Sequence, residues 1–344
     1  MLALMSAGGI ALLAAAFLMP LLIRFQVQSE IGQHIRDDGP ATHAVKAGTP
    51  TMGGLIIVIA VALGYFAGHL WTAVQFSPAG VLCLITVVGF GLVGFIDDAM
   101  KIRNRRSLGL NKRAKIAGQL VVGAGFAILA VEWAKTSTHL SATRFTLPGW
   151  HLGPVLWCVI AAFVVIGSSN AVNLTDGLDG LAAGSATQSF AVLAIIGYWQ
   201  FRHFTIYHVA PALDLALVAV ALAGGCLGFL WWNAAPAKIY MGDTGSLAIG
   251  AGLAALCCCM QLELLLVILG GLFVAETASV IIQVAIFKLT GRRVFKMSPI
   301  HHHFELKGWP ETTVIVRFWI LAALFAALAL GLFYADFLNV AKVV

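Results

Sequence analysis

Long apolar segments, each about the length needed to cross a membrane, recur along the whole chain. A helix spans the hydrocarbon core of a bilayer with about 20 mostly apolar residues, and ten segments of roughly that kind are present. They cover about residues 2–24, 53–75, 79–96, 116–134, 152–169, 181–200, 212–232, 246–260, 264–287 and 314–338. Of the 344 residues, 60% are hydrophobic and only 10% are charged, unlike soluble globular proteins. The sequence therefore predicts an all-α polytopic membrane protein with about ten transmembrane helices in one domain, residues 1–344.

Basic residues are distributed unevenly between the two sides of such a protein. Lys and Arg favour the cytoplasmic loops, and with ten spans the loops after the odd-numbered spans share one side. That side contains all but four of the 21 Lys and Arg residues, the exceptions being Lys135, Arg144, Arg202 and Lys342. The prediction is that both termini lie outside and that this basic side faces the cytoplasm. The acidic clusters described next fall on the same side, although acids were not used in the assignment.

Asp97 and Asp98 follow directly on the apolar segment 79–96. Adjacent carboxylates at a helix end are often solvated or cap the next helix. Acids at the C-terminus of a helix oppose its macrodipole, however, so they need a nearby cation or a function. Besides a solvated or capping helix end, Asp97 and Asp98 can therefore be interpreted as part of a metal site or as a proton acceptor.

Four polar side chains recur every three residues after the segment 152–169. They are Asn170, Asn173, Asp176 and Asp179. The glycines Gly177 and Gly180 favour a helix end that runs into a turn over an uninterrupted helix. Asn and Asp next to Gly are ordinary turn formers, but four such groups at a lipid boundary are costly unless a ligand or a metal satisfies them.

Two small-residue loops resemble phosphate-binding loops in composition. The loop from Lys46 to Gly54 offers backbone N–H groups, the hydroxyl of Thr51 and the charge of Lys46, a combination suited to a nucleotide or a phosphate. The segment Met241 to Ser246 is similar and adds Asp243 immediately before a predicted helix. For Asp243, capping of that helix is the alternative to a role in the site.

Three consecutive histidines, His301, His302 and His303, lie between the last two predicted spans. Consecutive side chains do not all reach one metal ion from regular structure, and no Cys or second His cluster completes a zinc set. Phosphate binding by one or two of the imidazoles fits better. Glu276, within segment 264–287, has the simpler interpretation of a hydrogen bond to a neighbouring helix.

Five motifs carry a resemblance to a known family. In chain order they are KAGTPTMGG, GFIDDAMK, NAVNLTDGLDGL, NAAPAKIYMGDTGS and PIHHHFELKGWPE. Together they closely resemble the phospho-N-acetylmuramoyl-pentapeptide transferases, a branch of the polyprenyl-phosphate N-acetylhexosamine-1-phosphate transferase superfamily. The resemblance runs from about residue 37 to residue 317, and the His-rich motif is typical of this branch.

The resemblance implies a Mg²⁺-dependent transfer of phospho-MurNAc-pentapeptide from UDP-MurNAc-pentapeptide to undecaprenyl phosphate, giving lipid I and UMP at the cytoplasmic face of the bacterial inner membrane. It implies that Asp243 holds Mg²⁺, that Asp97 and Asp98 contact the metal or the acceptor phosphate, and that Lys115 and His302 steady the diphosphate. It also implies a pocket for the nucleoside and sugar phosphate, lined by Lys46, Asn173, Asp176, Asp179, Asn233 and Tyr240. A break in the ninth span near Glu276 would open a groove for the polyprenyl tail.

From their positions in the same motifs, Thr51, Asn170, His301 and His303 are further candidates for substrate binding. The formal net charge of +6 suits anionic lipid headgroups or a phosphorylated substrate, and no nucleic-acid-binding module is recognisable. Aromatic side chains on lipid-facing surfaces would suit a homodimer.

Two alternatives differ in kind. A related N-acetylhexosamine-1-phosphate transferase would use another nucleotide sugar. A secondary transporter would place its acids near the membrane midplane and would show a repeat between its halves, which the sequence does not.

Overall fold

The computed structural model describes residues 1–29, 48–70, 72–104 and 109–341. Within these ranges the chain forms helices α1 to α13 and one hairpin of two strands, β1 and β2. The helices are α1 (Leu2–Gln28), α2 (Gly54–Leu70), α3 (Pro78–Asn104), α4 (Lys112–Glu132), α5 (Gly153–Thr175), α6 (Leu181–Arg202), α7 (Phe204–Tyr207), α8 (Ala212–Asn233), α9 (Gly242–Cys259), α10 (Leu265–Leu269), α11 (Gly271–Thr290), α12 (Ile300–Glu305) and α13 (Glu311–Ala341). The antiparallel strands are β1 (His139–Arg144) and β2 (Leu147–His151).

Among the described residues, nine helices are long and apolar enough to cross a membrane. The helix α2 is also apolar but shorter, with 17 residues. These ten helices coincide with the ten apolar segments of the sequence, the ninth segment being divided between α10 and α11. The prediction of an all-α polytopic membrane protein is therefore confirmed.

Helix α3 continues to Asn104, beyond the predicted end of its apolar segment at residue 96. The prediction that Asp97 and Asp98 close the span was therefore wrong. The residues after them are good helix formers, and Lys101 and Arg103 in the last turn suit the negative end of the helix macrodipole. Because the helix continues, residues three and four positions after the two acids lie on the same face as the acids.

The hairpin between α4 and α5 was not predicted. It is attached to the bundle through Glu263, which lies in the turn between α9 and α10 and is only 5% exposed. The carboxylate of Glu263 accepts hydrogen bonds from the backbone N–H of Ser141 and from Nε1 of Trp157, both at 3.2 Å. Burial raises the pKa of Glu263 to about 8, since desolvation disfavours the charged form.

The helix α9 is the centre of the bundle, and every residue from Thr244 to Cys259 is buried. Glycines allow its neighbours to approach closely. A Cβ on Gly94 of α3 would collide with the backbone of Asp243, and a Cβ on Gly250 of α9 would collide with the backbone of α5. Close backbone approach at small residues is a common way for helices to pack in membranes. The packing holds the beginning of α9 beside the last turns of α3 and the end of α5.

The ninth apolar segment is divided at Gly270, between α10 and α11. The expected break near Glu276 was wrong in position, because Glu276 lies inside α11. Two successive glycines, Gly270 and Gly271, have low helix propensity. A side chain on Gly271 would also collide with the ring of Phe325 on α13, so the close contact with α13 requires a glycine at the break.

Candidate active site

Three carboxylates from two helices meet where α3 passes the beginning of α9. Asp97, Asp98 and Asp243 each offer an oxygen, and these oxygens lie within 4.8 Å of one another. The ammonium group of Lys101 contacts all three acids. Its Nζ lies 2.7 Å from Oδ2 of Asp97, 3.3 Å from Oδ1 of Asp98 and 2.9 Å from Oδ2 of Asp243. The result is an acidic cluster built around one lysine.

Asp243 also receives contacts from α4 and α5. Nζ of Lys115 lies 2.6 Å from its Oδ2, and Nδ2 of Asn173 donates to its Oδ1 at 2.7 Å. The same amide nitrogen of Asn173 lies 2.8 Å from Oγ of Ser246. Asp243 is therefore the point at which α3, α4, α5 and α9 meet. The sequence-predicted residues Lys115 and Asn173 are both brought to it.

Asp98 caps the beginning of α9. Its Oδ2 accepts hydrogen bonds from the backbone N–H of Thr244 at 2.9 Å and from the Thr244 hydroxyl at 2.7 Å, and its Oδ1 accepts from the N–H of Asp243 at 3.2 Å. The first N–H groups of a helix have no partner within the helix, and here a carboxylate from another helix supplies one. Met241 is at the N-cap position and makes no side-chain cap. Capping of its own helix is thus excluded as the role of Asp243.

The donor set of the acidic cluster fits a hard divalent cation. Mg²⁺ prefers carboxylate oxygens and commonly uses one or two of them together with substrate phosphates. Asp97, Asp98 and Asp243 are the group of described residues with the arrangement to hold a metal ion. Three carboxylates against the two ammonium groups of Lys101 and Lys115 leave an excess negative charge that attracts a cation.

The polar stretch after α5 forms a helix end and a turn, as predicted. Helix α5 ends at Thr175, and Gly180 has a φ of 77° directly before α6. Only glycine adopts this backbone conformation without strain. Desolvation and the negative charges of Asp243 and Asp98 raise the pKa of Asp176 well above its ordinary value. The turn therefore places Asp176 within the electrostatic field of the acidic cluster.

Three of the predicted substrate-binding residues make structural hydrogen bonds. Asn170 pairs with Gln119 of α4, its Nδ2 donating to Oε1 at 2.9 Å. Oδ2 of Asp179 accepts from the N–H of Ala237 at 2.9 Å. Asn233 accepts from the N–H of Gly180 at 2.9 Å and donates to the carbonyl of Ile239 at 2.8 Å. Asp179 and Asn233 thus tie the turn after α5 to the loop before α9, while their contacts with substrate stay predictions.

The loop before α2 lies against the loop before α9. The N–H of Gly53 donates to the carbonyl of Tyr240 at 2.8 Å, and the N–H of Tyr240 donates to the carbonyl of Pro50 at 2.8 Å. The backbone of Thr51 is held by the side-chain amide of Gln26 on α1. Tyr240 and Thr51 are therefore close to the beginning of α9. Lys46 lies outside the described residues.

The three histidines occupy the short helix α12. His301 is fully buried, and its Nδ1 lies 3.1 Å from Oε2 of Glu276 on α11. Nδ1 of His302 lies 2.6 Å from Oε2 of Glu305. Nδ1 of His303 accepts a hydrogen bond from the N–H of Lys296. Glu276 contacts the neighbouring helix α12 at ion-pair distance, through a histidine of the site motif, but its carboxylate oxygens form no hydrogen bond within the described residues.

The histidines differ in their surroundings. A Cβ built on Gly177 would meet Nε2 of both His301 and His302, so these two imidazoles lie over the turn that carries Asp176. Partial burial and the charges of Lys307 and Lys296 lower the pKa of His303. The structure therefore brings His301 and His302 to the predicted pocket and leaves His303 among basic residues.

Sequence reasoning missed Lys101 as a member of the site. The signal was present in its spacing, since Lys101 is four residues after Asp97 and three after Asp98, and residues at these spacings are neighbours on a helix. The signal was lost because the helix was predicted to end at residue 96. Thr244 and Ser246 were also missed, and a hydroxyl next to an acid in a helix start gives no specific sequence signal.

Comparisons with known proteins agree with the site geometry. The model of glycosyl transferase family 4 matches residues 80–261, and signature 1 of the phospho-N-acetylmuramoyl-pentapeptide-transferases matches residues 46–58. The chain is 50% identical over 347 residues to the phospho-N-acetylmuramoyl-pentapeptide-transferase of Frankia alni, with 97% of each chain covered. It is also 50% identical over 344 residues to that of Streptomyces griseus, covering 96% of this chain and 97% of the relative.

A third relative, the phospho-N-acetylmuramoyl-pentapeptide-transferase of Thermobifida fusca, is 50% identical over 346 residues, covering 97% of this chain and 98% of the relative. These relatives align over nearly the full length of both chains, and the glycosyl transferase family 4 match over residues 80–261 contains the three acids of the cluster. Half of all residues are shared, far more than a common fold alone requires. On this evidence the chain belongs to the phospho-N-acetylmuramoyl-pentapeptide-transferase family.

Proposed function

We propose that the chain transfers phospho-MurNAc-pentapeptide from UDP-MurNAc-pentapeptide to undecaprenyl phosphate, releasing UMP and forming lipid I for peptidoglycan synthesis. The observation that carries the proposal is the acidic cluster of Asp97, Asp98 and Asp243 with Lys101 and Lys115, placed at a helix end in a multi-pass membrane protein of this family. Phosphoryl transfer depends mainly on positioning and on neutralising charge, and this cluster supplies groups for both.

Mg²⁺ is the proposed cofactor. Asp243 would hold the ion, with Asp97 and Asp98 offering the other protein oxygens. When bound, the ion neutralises negative charge on the diphosphate and polarises its oxygens. Lys101 and Lys115 hold Asp243 from the side of α3 and α4, and their charges add to the stabilisation of phosphate groups.

The two adjacent acids have different proposed roles. Asp98 is engaged by three donors from the beginning of α9, so it positions Asp243 by fixing that helix end. Asp97 accepts one backbone hydrogen bond, from the N–H of Leu110 at 2.9 Å, and contacts Lys101. With more lone pairs left for a ligand, Asp97 orients the acceptor phosphate and takes up its residual proton.

The acceptor attacks directly in this proposal. The second pKa of a phosphate monoester is about 6, so undecaprenyl phosphate is largely deprotonated at neutral pH and needs no strong base. A nucleophilic carboxylate is also hard to reconcile with acids already engaged in ion pairs.

In this proposal the polyprenyl tail lies against α5 and α11, whose outer faces expose Val159, Phe163 and Ile281.

The first test is release of UMP by the purified protein in detergent. With UDP-MurNAc-pentapeptide, undecaprenyl phosphate and Mg²⁺, we expect UMP and lipid I in equal amounts, and loss of both when the divalent ion is chelated. UDP-GlcNAc in place of the muramoyl substrate should give no product. Product from UDP-GlcNAc alone would assign the protein to the related N-acetylhexosamine-1-phosphate transferases.

The same assay separates direct from covalent transfer. Without the lipid acceptor, direct attack predicts no UMP, even with enzyme and nucleotide sugar at equal concentration. A burst of UMP equal to the enzyme concentration, together with a phospho-MurNAc-pentapeptide adduct on Asp97, Asp98 or Asp243, would establish a two-step route instead.

The proposed location is the bacterial inner membrane with the acidic cluster facing the cytoplasm. After replacement of the native cysteines, a cysteine at Asn104, exposed at the end of α3, should resist membrane-impermeant thiol reagents in intact cells and react after lysis. A cysteine at Thr146, exposed between β1 and β2, should react in intact cells. The reverse pattern would place the acidic cluster outside, away from cytoplasmic nucleotides.

A further inference from the structure

Two adjacent imidazoles of α12, the buried ring of His301 and the partly exposed ring of His302, each have a carboxylate beside the same ring nitrogen. Nδ1 of His301 lies 3.1 Å from Oε2 of Glu276, and Nδ1 of His302 lies 2.6 Å from Oε2 of Glu305. The two rings are adjacent, with centroids 4.2 Å apart. In both rings the carboxylate lies beside Nδ1, and Nε2 lies on the side of the turn after α5.

Both Nε2 atoms face the same point. A Cβ built on Gly177 would lie 3.4 Å from Nε2 of His302 and closer still to Nε2 of His301. Gly177 directly follows Asp176, in the turn between α5 and α6. The absence of a side chain at residue 177 is therefore what allows the two imidazoles to converge over this turn.

Glu276 has no evident structural use apart from His301. It is fully buried in α11, a helix whose outer face is apolar, and a buried carboxylate within a membrane protein is costly unless it is paired. Among the described residues, His301 is the ionisable group that the structure places in contact with it. Both ring nitrogens of His301 and both carboxylate oxygens of Glu276 are buried without a hydrogen-bond partner among the described residues. The contact at Nδ1 is therefore an ion-pair contact at 3.1 Å, and Nε2 is left for a ligand.

We propose that Glu276 is a positioning residue for the transfer reaction: it holds the imidazole of His301 so that Nε2 of His301, beside Nε2 of His302, faces the phosphate groups of the nucleotide sugar over Gly177. A carboxylate beside Nδ1 fixes the orientation of the ring. In the imidazolium form both ring nitrogens are donors, so Nε2–H donates to phosphate oxygens. The proposal rests on the proposed function and adds to it a residue outside the acidic cluster.

The pairing also connects two parts of the site. Glu276 belongs to α11, the helix whose outer face is proposed to contact the polyprenyl tail, whereas His301 belongs to α12, over the turn after α5. One contact of 3.1 Å joins them. Loss of the carboxylate should affect the reaction step more than the binding of the nucleotide sugar, because a positioned donor stabilises most the charge that develops as the diphosphate bond breaks.

The test is a double-mutant cycle of Glu276→Gln and His301→Gln. Glu276→Gln keeps the size of the side chain and removes its charge, and it should lower kcat by about 10- to 100-fold, the usual range for residues that orient a functional histidine. KM for UDP-MurNAc-pentapeptide should change by less than about 3-fold. In the His301→Gln background, the same change should lower kcat by less than about 2-fold, because Glu276 acts through His301.

The values of kcat and KM are measured in the steady state with substrate in excess, and variants too slow for this are compared in single-turnover form with enzyme in excess. Glu276→Asp, which retains the charge on a shorter side chain, should recover part of the rate lost in Glu276→Gln. If Glu276→Gln unfolds, Glu276→Asp takes its place in the double-mutant cycle. The matched control is Glu263→Gln, another buried carboxylate, which lies next to the hairpin and should leave kcat within about 2-fold of the parent.

Opposite results would overturn the proposal. If the losses from Glu276→Gln and His301→Gln multiply in the double variant, Glu276 acts independently of His301. If Glu276→Gln alone retains full kcat, the carboxylate is not needed for positioning. Absence of UMP release from the parent protein would instead contradict the proposed function, so the two failures are distinguishable.

Discussion

Asp243→Asn is expected to lower kcat by at least about 1000-fold, a loss of about 4 kcal/mol in transition-state stabilisation. The substitution retains the shape of the side chain and an oxygen that accepts from Asn173. It replaces the other oxygen by an NH₂ group that would face the ammonium groups of Lys101 and Lys115, and it removes a charge from the proposed Mg²⁺ ligands. The protein should still fold, because the helix end is capped by Asp98.

The matched control for this prediction is Asp336→Asn. The side chains of Asp336 and Asp243 are 12% and 14% exposed, and each forms an ion pair with a basic residue on another element. Asp336 pairs with Arg144 of the hairpin and is distant in the fold from the acidic cluster. UMP release, normalised to monodisperse protein, should be retained in Asp336→Asn. Activity above about a tenth of the parent in Asp243→Asn, a loss of only about 1.4 kcal/mol, would reject its assignment as the central ligand.

Lys101→Met is expected to lower kcat by about 100- to 1000-fold. The ammonium group contacts all three carboxylates of the acidic cluster. At about 4 Å and an effective dielectric of about 20, one unit charge contributes about 4 kcal/mol to the energy of a neighbouring charge. Without Lys101 the cluster keeps Lys115 as its one basic partner among the described contacts, and its excess negative charge then repels the phosphate groups of both substrates.

The same variant predicts a change in how divalent ions affect stability. Removal of one partner from a buried charge network is destabilising, so the unfolding temperature of Lys101→Met without Mg²⁺ should fall below that of the parent. Added Mg²⁺ should raise the unfolding temperature of Lys101→Met by more than it raises that of the parent, because the ion replaces the missing positive charge. The control is Lys112→Met, an exposed lysine at the start of α4. Equal responses to Mg²⁺ in Lys101→Met and the parent would contradict the expectation that the ion takes over the charge of Lys101.

The composition and spacing of the chain determined its architecture. Apolar segments as long as a bilayer is thick have one stable form in lipid, the hydrogen-bonded helix, and the ten segments correspond to ten helices. Gly180 likewise favours the turn between α5 and α6, since it has a φ of 77° directly before α6 and glycine adopts this left-handed conformation without strain. These features depend on local residue type and on the apolar surroundings of the chain, and the sequence indicates both.

The tertiary structure decided which side chains meet. Asp98 and Asp243 are 145 residues apart, and their contact depends on the glycine-mediated packing of α3 against α9, which no local pattern specifies. The same packing gave Asp98 the capping role for which Asp243 was the candidate. It also made Lys101 the centre of the cluster and paired Glu276 with His301 across α11 and α12. The sequence by itself determined the membrane helices and the residues that carry the chemistry, because periodicity and residue type act locally. The partner of each residue depends on close contacts between helices distant in the chain, and only the folded bundle sets those contacts.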